Sequence, residues 1–427
     1  MTVYRGNFVW TATPERFEIL EQGYVAVDSS GVICHVGRLM PEGCDASEVV
    51  DLCCHDGEFV IPAMNDLHVH APQYRNQGMA LDLELLPWLN TYTFPEEQRF
   101  ADASYAAEVY TRFVHDLWKH GTMRAAVFAT IHPEATKMLA TLFDKAGMGA
   151  YIGLVGMDRN CPDALQNDPQ TIEADITGLM RHTEPMPRVS VIVTPRFVPA
   201  CTPAMLTALG KVACRHHLPV QSHLSENTQE IAWVARLEPD CPSYAHAYDK
   251  YGLLGQSPTL MAHCCYSQGM ELELLAERGV TIVHCPTSNA NLGSGIAPIR
   301  EFLDRGIRVA LGSDMSGGHQ LSMFRVMQYA MQMSKLKWTF TEKRLRYLTL
   351  SEAFHAATKA GGAFFGKIGS FEPGYAFDAL VIDDTALSGW DRHYTILQRL
   401  ERCVYLADDR HIVRRYCQGR EIPSPQA

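Results

Sequence analysis

No uncharged apolar stretch in this 427-residue chain reaches the roughly 20 residues that a membrane-spanning helix requires. The first ten residues, Met1 to Trp10, lack a basic start followed by an apolar core, so no secretory leader is expected. Basic residues are in deficit: 37 Lys and Arg face 48 Asp and Glu, and a formal charge of −11 argues against a nucleic-acid partner. The 13 cysteines form no Cys-x-x-Cys pair, and an odd number without a leader reads as free thiols in a reducing compartment, here the cytoplasm. The doublets Cys53-Cys54 and Cys264-Cys265 sit in apolar sequence and read as core fillers. Internal repeats and low-complexity segments are missing as well.

What is present is an ordinary globular composition, 47% hydrophobic and 20% charged, in a chain long enough for a barrel plus a smaller domain. The first 60 or so residues alternate apolar and polar positions, and the runs Gly23–Val27 and Val32–Val36 flank Asp28–Gly31 as a hairpin would. From there to about residue 370, short apolar runs alternate with helical spacers. The runs end at His70, Thr130, Asp158, Thr194, Gln221, His263, His284 and Gly312. Eight such runs match an α/β fold of the (β/α)8 TIM-like barrel type, whose buried parallel strands are continuously apolar. Strand and turn patterns return at Ala376–Ile382 and His411–Tyr416. The expected organisation is a barrel over 63–369 and a small β-sandwich domain built from both termini, 1–62 plus 370–427.

Several run ends carry metal-ligand side chains. His68 and His70 are two apart, so on a strand both imidazoles face the same side. His223 and Asp314 end later runs and supply a third nitrogen and an oxygen, a donor set that suits one divalent ion such as zinc, with ferrous iron as the alternative. Glu226, three residues after His223, is placed to carry protons, and His263 to hydrogen-bond the activated water. Each residue also has a plainer reading: the histidine pair as solvated side chains, His263 as a buried structural residue, Asp314 as a turn cap. The joint pattern on several strand ends favours the metal site.

Arg196 and Phe197 follow the fourth run. They can bind a carbonyl and a planar ring, or be a surface arginine and a core phenylalanine. Gln73 offers a donor and an acceptor to a heterocycle edge. The stretch Leu81–Trp88 either walls a pocket or caps the barrel. Two further absences are informative. The fourth run ends without the lysine that bridges two metals on barrels of this kind, which favours one ion. His132-Pro133-Glu134 imitates half of the zinc signature of the cytidine-type deaminases, but the Pro-Cys-x-x-Cys half is missing, and that fold is excluded.

The stretches His68–Tyr74, Leu85–Pro95, Phe128–His132, Thr194–Phe197, Ser222–Asn227, Met261–His263, His284–Asn289, Gly312–Asp314 and Leu406–Arg410 resemble the amidohydrolase superfamily, and within it the guanine deaminases. The resemblance covers nearly the whole chain. It implies hydrolysis of guanine to xanthine and ammonia, zinc on His68, His70, His223 and Asp314, Glu226 as proton shuttle, and His263 and Asp314 assisting. It also implies guanine held by Gln73, Arg196 and Phe197, with Leu86 and Trp88 lining the pocket, in a homodimer. Pro72, Pro87 and Ser313 depart from the usual pattern without removing a required group. Two alternatives follow from the same residues: an aminohydrolase for a pterin or an oxidised purine, and a catalytically silent assembly protein on the same barrel.

Overall fold

The eight apolar runs all contain strands in the computed structural model, which describes residues 1–341, 343, 345–387 and 393–425. We label them β1 (Met64–His70), β2 (Thr122–Phe128), β3 (Gly149–Gly153), β4 (Val189–Val191), β5 (Val220–Leu224), β6 (Thr259–His263), β7 (Thr281–His284) and β8 (Arg308–Leu311). They form two parallel four-stranded sheets, ordered β4-β3-β2-β1 and β5-β6-β7-β8. Short continuations of β3 and β4, Val155–Gly156 and Thr194–Pro195, pair with each other. Between the sheets, Val193 N donates to Pro219 O (2.8 Å) and Gln221 N to Val193 O (2.9 Å). At the far side Asp314 N donates to His68 O (2.8 Å). The strands are buried along almost their whole length because both faces are covered.

Helices occupy the spacers. Ala103–Lys119 is typical: Asp102 caps it by accepting from Ser104 N and Tyr105 N, and Tyr105, Ala106, Val109, Tyr110, Phe113, Val114 and Leu117 form its buried stripe. The connection after β1 holds a run of short helical turns from Leu85 to Ala101.

The two ends of the chain share one eight-stranded sheet. Ala379–Asp383 lies antiparallel to both Glu58–Pro62 and Ile412–Cys417, and Glu58–Pro62 adjoins Thr2–Thr13, which pairs with Arg16–Val27. The Asp28–Gly31 hairpin forms as expected: Asp28 Oδ1 accepts from Ser30 N (2.8 Å) and Val32 N (3.0 Å), and Gly31 supplies the positive φ of 84°. An aromatic core of Tyr4, Phe8, Trp10, Phe371, Phe377 and Tyr416 fills one face. The last segment also holds a helix, Ile396–Leu406, in a stretch read as strands and turns. Its stripe of Ile396, Leu400, Cys403 and Val404 is helical in period, and it packs on the helix Met323–Phe340. A buried ion pair, Arg124 Nε to Asp378 Oδ2 at 2.6 Å, joins β2 to the terminal sheet.

Candidate active site

Strand ends bring the expected donors together. The alternation of β1 puts His68 and His70 on one side, both almost fully buried. Asp314 follows β8, and His223 closes the cluster from β5, partly exposed at its edge. Asp314 Oδ1 lies 3.2 Å from His68 Nε2 and 3.4 Å from His70 Nε2, and His70 Nε2 lies 3.2 Å from His223 Nε2. His223 Nδ1 is 2.6 Å from Arg196 O. A carbonyl can only accept, so Nδ1 carries the proton and Nε2 turns its lone pair inward. His68 Nε2 is buried without a hydrogen-bond partner. Four donors around one ion at about 2.0–2.1 Å stand about 3.3 Å apart, and the observed spacings match.

The electrostatics suit the same purpose. Burial pushes the pKa of His68 down and those of His70 and His223 far below the ordinary histidine value, leaving the neutral imidazoles a metal needs. Burial penalises the Asp314 carboxylate, yet His68, His263 and His70 outweigh it and hold that pKa far below the usual range. Cys285 is also within reach of His68, His263 and Asp314. Burial raises its thiol pKa well above normal, which disfavours the thiolate, and its Sγ–H faces Val283 O at 3.7 Å.

Behind this cluster Asp66 accepts from Ser313 N (2.9 Å), Ser313 Oγ and His68 N (3.3 Å), clamping the turn that carries Asp314. Asp314 (φ 49°), His263 (73°) and Ser225 (47°) are non-glycine residues in the left-handed region, and they cluster at this rim. Such strain concentrates where geometry serves function.

Glu226 faces the same point from the loop after β5. Its Oε1 accepts from Ser294 Oγ (2.8 Å), and its Oε2 stands 3.5 Å from His263 Nε2. Burial raises the Glu226 pKa. His263 donates from Nδ1 to Asn289 Oδ1 (2.9 Å). Burial works against a charged His263 ring, but Glu226, Asp314 and Asn289 prevail and lift its pKa above the ordinary value. Glu230 accepts from the backbone N of Glu226 (3.1 Å) and Asn227 (3.2 Å) and from Tyr244 Oη (2.8 Å); burial and the nearby Glu226 raise its pKa to about 7.

A cleft opens onto these groups, lined by Gln73, Leu85, Trp88, Leu89, Arg196, Phe197, Leu292 and Gly317. A larger groove beside Pro298, Lys337 and Trp338 contains none of this chemistry. Leu86, expected on the wall, does not line this cleft. Leu85, Trp88 and Leu89 share one helical face, and Leu86 is turned off it, half-buried against neighbouring apolar side chains. Gln73 and Arg196 meet on Glu97: Gln73 Nε2 donates to its Oε1 (3.1 Å) and Arg196 Nη1 to its Oε2 (2.6 Å). Glu97, Ser294, Asn289 and Asp66 were missed from sequence. Only Asp66, a carboxylate inside an otherwise buried strand, carried a local signal.

The amidohydrolase family model matches residues 59–422, and the chain belongs to that family. Its members are metal-dependent, and the four donors described above fit such an ion. The relatives within the family are more specific. Guanine deaminase of Mus musculus is 38% identical over 98% of this chain and 96% of its own length, and that of Dictyostelium discoideum is 35% identical over 98% of each. A crystal structure of guanine deaminase from C. acetobutylicum with bound guanine in the active site is 48% identical, covers 99% of both chains and superposes with a TM-score of 0.95.

Proposed function

We propose that this chain is a guanine deaminase, converting guanine and water to xanthine and ammonia. The observation that carries the reading is one cleft that joins a three-histidine, one-aspartate donor set and a buried Glu226 to a Gln73–Arg196 pair suited to an oxo-purine edge. The full-length likeness to guanine deaminases supports it.

His68, His70, His223 and Asp314 would hold one zinc ion, or iron(II) in its place. Bound there, the ion would lower the pKa of water and supply hydroxide near neutral pH. The protein's own groups handle the protons and the substrate. Glu226, kept basic enough by burial and oriented by Ser294, takes a proton and delivers it to ring nitrogen N3 as C2 is attacked. His263, fixed by Asn289, donates toward developing negative charge, and Asp314 assists. The second proton passes to the amino group, which leaves as ammonia. Arg196 donates to the O6 carbonyl, Gln73 reads the adjoining edge, Phe197 packs on the ring, and Leu85, Trp88 and Leu89 keep water out.

The same reading assigns residues 63–369 to a closed (β/α)8 barrel, supported by the backbone bonds at both sheet junctions. It assigns 1–62 and 370–427 to the small β domain, supported by the one sheet that both termini share and by the aromatic cluster on its face. Thirteen unpaired thiols suit the cytoplasm, and among the described residues no helix is long and apolar enough to cross a membrane. A homodimer would cover the exposed Leu336, Phe340, Leu345 and Tyr347.

Ammonia release measured across guanine, adenine, cytosine and pterins tests the substrate. Guanine should lead in kcat/KM, and no turnover of guanine would defeat the reading. Glu226→Gln should keep its metal, read by elemental analysis, and lose roughly 100-fold or more in kcat; near-normal turnover would remove Glu226 from its role.

A further inference from the structure

We infer that Glu97 is the positioning residue of the pocket: one buried carboxylate bridges the Gln73 amide and the Arg196 guanidinium, fixes their outward faces, and makes the cleft select for a ring carbonyl. This rests on the guanine reading and adds to it a residue that never touches the substrate.

The geometry is specific. Glu97 and Arg196 side chains are each 3% exposed, so the pair is fully withdrawn from solvent. Burying two charges is costly unless further hydrogen bonds satisfy them. Here they do. Glu97 spends one oxygen on Arg196 Nη1 and the other on Gln73 Nε2, while Gln73 Oε1 accepts from Ser316 N at 3.3 Å. The Gln73 amide therefore cannot flip without losing both bonds. Phe94, one turn before Glu97, lies under the guanidinium with its ring centroid 5.2 Å from Arg196 Cζ. A single helical turn thus presents a ring and a carboxylate to the same cation. Among the described residues Arg196 makes its one side-chain hydrogen bond to Glu97, which leaves the rest of the guanidinium fork for a ligand.

The carboxylate also prevents a competing pairing. Glu226 and Asp314 line the same cleft as Arg196. A guanidinium without its own counter-charge would be drawn toward those acids, at the expense of both proton transfer and carbonyl recognition. Glu97 supplies that counter-charge at 2.6 Å.

The test compares hypoxanthine, which has the O6 carbonyl, with purine, which lacks it. Neither carries the amino group that is lost, so binding is read without chemistry. Calorimetric Kd values for both are taken on metal-loaded wild type and Glu97→Gln, with metal content, melting temperature and guanine kinetics alongside. The dissociation constant for hypoxanthine should rise roughly 10- to 150-fold, the worth of a charged hydrogen bond. That for purine should stay within about threefold, and the guanine KM should rise more than kcat falls. If Glu97→Gln does not fold, Glu97→Asp, which keeps the charge but withdraws it by one methylene, carries the same comparison. Equal weakening of both purines, or unchanged hypoxanthine binding, overturns the inference. Failure of wild type to release ammonia from guanine would instead defeat the guanine reading, while the calorimetric comparison still decides Glu97.

Discussion

Glu230 shows how a residue outside the chemistry shapes its setting. Its pKa is raised to about 7, against an ordinary 4.5, so the folded protein binds this proton more tightly than the unfolded chain does. The sign follows: its neutral form contributes stability that is full below about pH 4.5 and is lost as pH rises toward 7. Glu230→Gln mimics the neutral form and can still accept from the backbone amides while pairing with Tyr244. Its melting temperature should exceed that of wild type at pH 8 and converge with it near pH 5, as differential scanning calorimetry across that range would read. At this scale the sequence was informative where function sits on strand ends. His70 and His263 announced themselves by closing apolar runs, and His68, His223 and Asp314 by standing two residues from such an end. Ser294, Asn289 and Glu97 did not: they reach the site from loops and short helices, and only the fold brings Glu97 to Arg196, 99 positions away.

Elements were legible in proportion to their regularity. Parallel strands covered on both faces favour apolar sequence, and all eight were found at the apolar runs. The turns from Leu85 to Ala101 escaped because their helical geometry changes every four or five residues, so no single period persists. The helix Ile396–Leu406 escaped for another reason, since strand signals on either side coloured the stretch between them. Helix ends offer a clean measurement. Asp102→Ala removes the cap of Ala103–Lys119 and should cost about 1 kcal/mol, lowering the melting temperature by roughly 1–4 °C. Guanine kinetics should be unchanged, because that helix end carries no group of the cleft. A fall in kcat would show instead that the helix positions the site.

In the whole molecule, the parallel strands and the terminal sheet act as one body through contacts that sequence periodicity does not reveal. Arg124 and Asp378 are 254 positions apart and nearly fully buried, each the other's compensation. Asp378→Ala leaves the Arg124 charge unpaired and should destabilise by about 3–5 kcal/mol, since removing one partner of a buried pair costs more than the pair contributes. Thermal or urea unfolding would measure this. Turnover at 20 °C should stay near wild type, with the loss appearing as earlier inactivation on heating. A melting temperature within 1 °C of wild type would mean that other contacts, among them Arg415 to the carbonyls of Trp118 and Lys119, hold the two parts together. The sharing of one sheet by both termini also bears on synthesis. Glu58–Pro62 leaves the ribosome early, yet its neighbour Ala379–Asp383 is translated about three hundred residues later. During that interval the nascent chain carries a largely apolar strand whose Ala379–Asp383 side is unpaired, an edge open to wrong pairing until the last strands arrive.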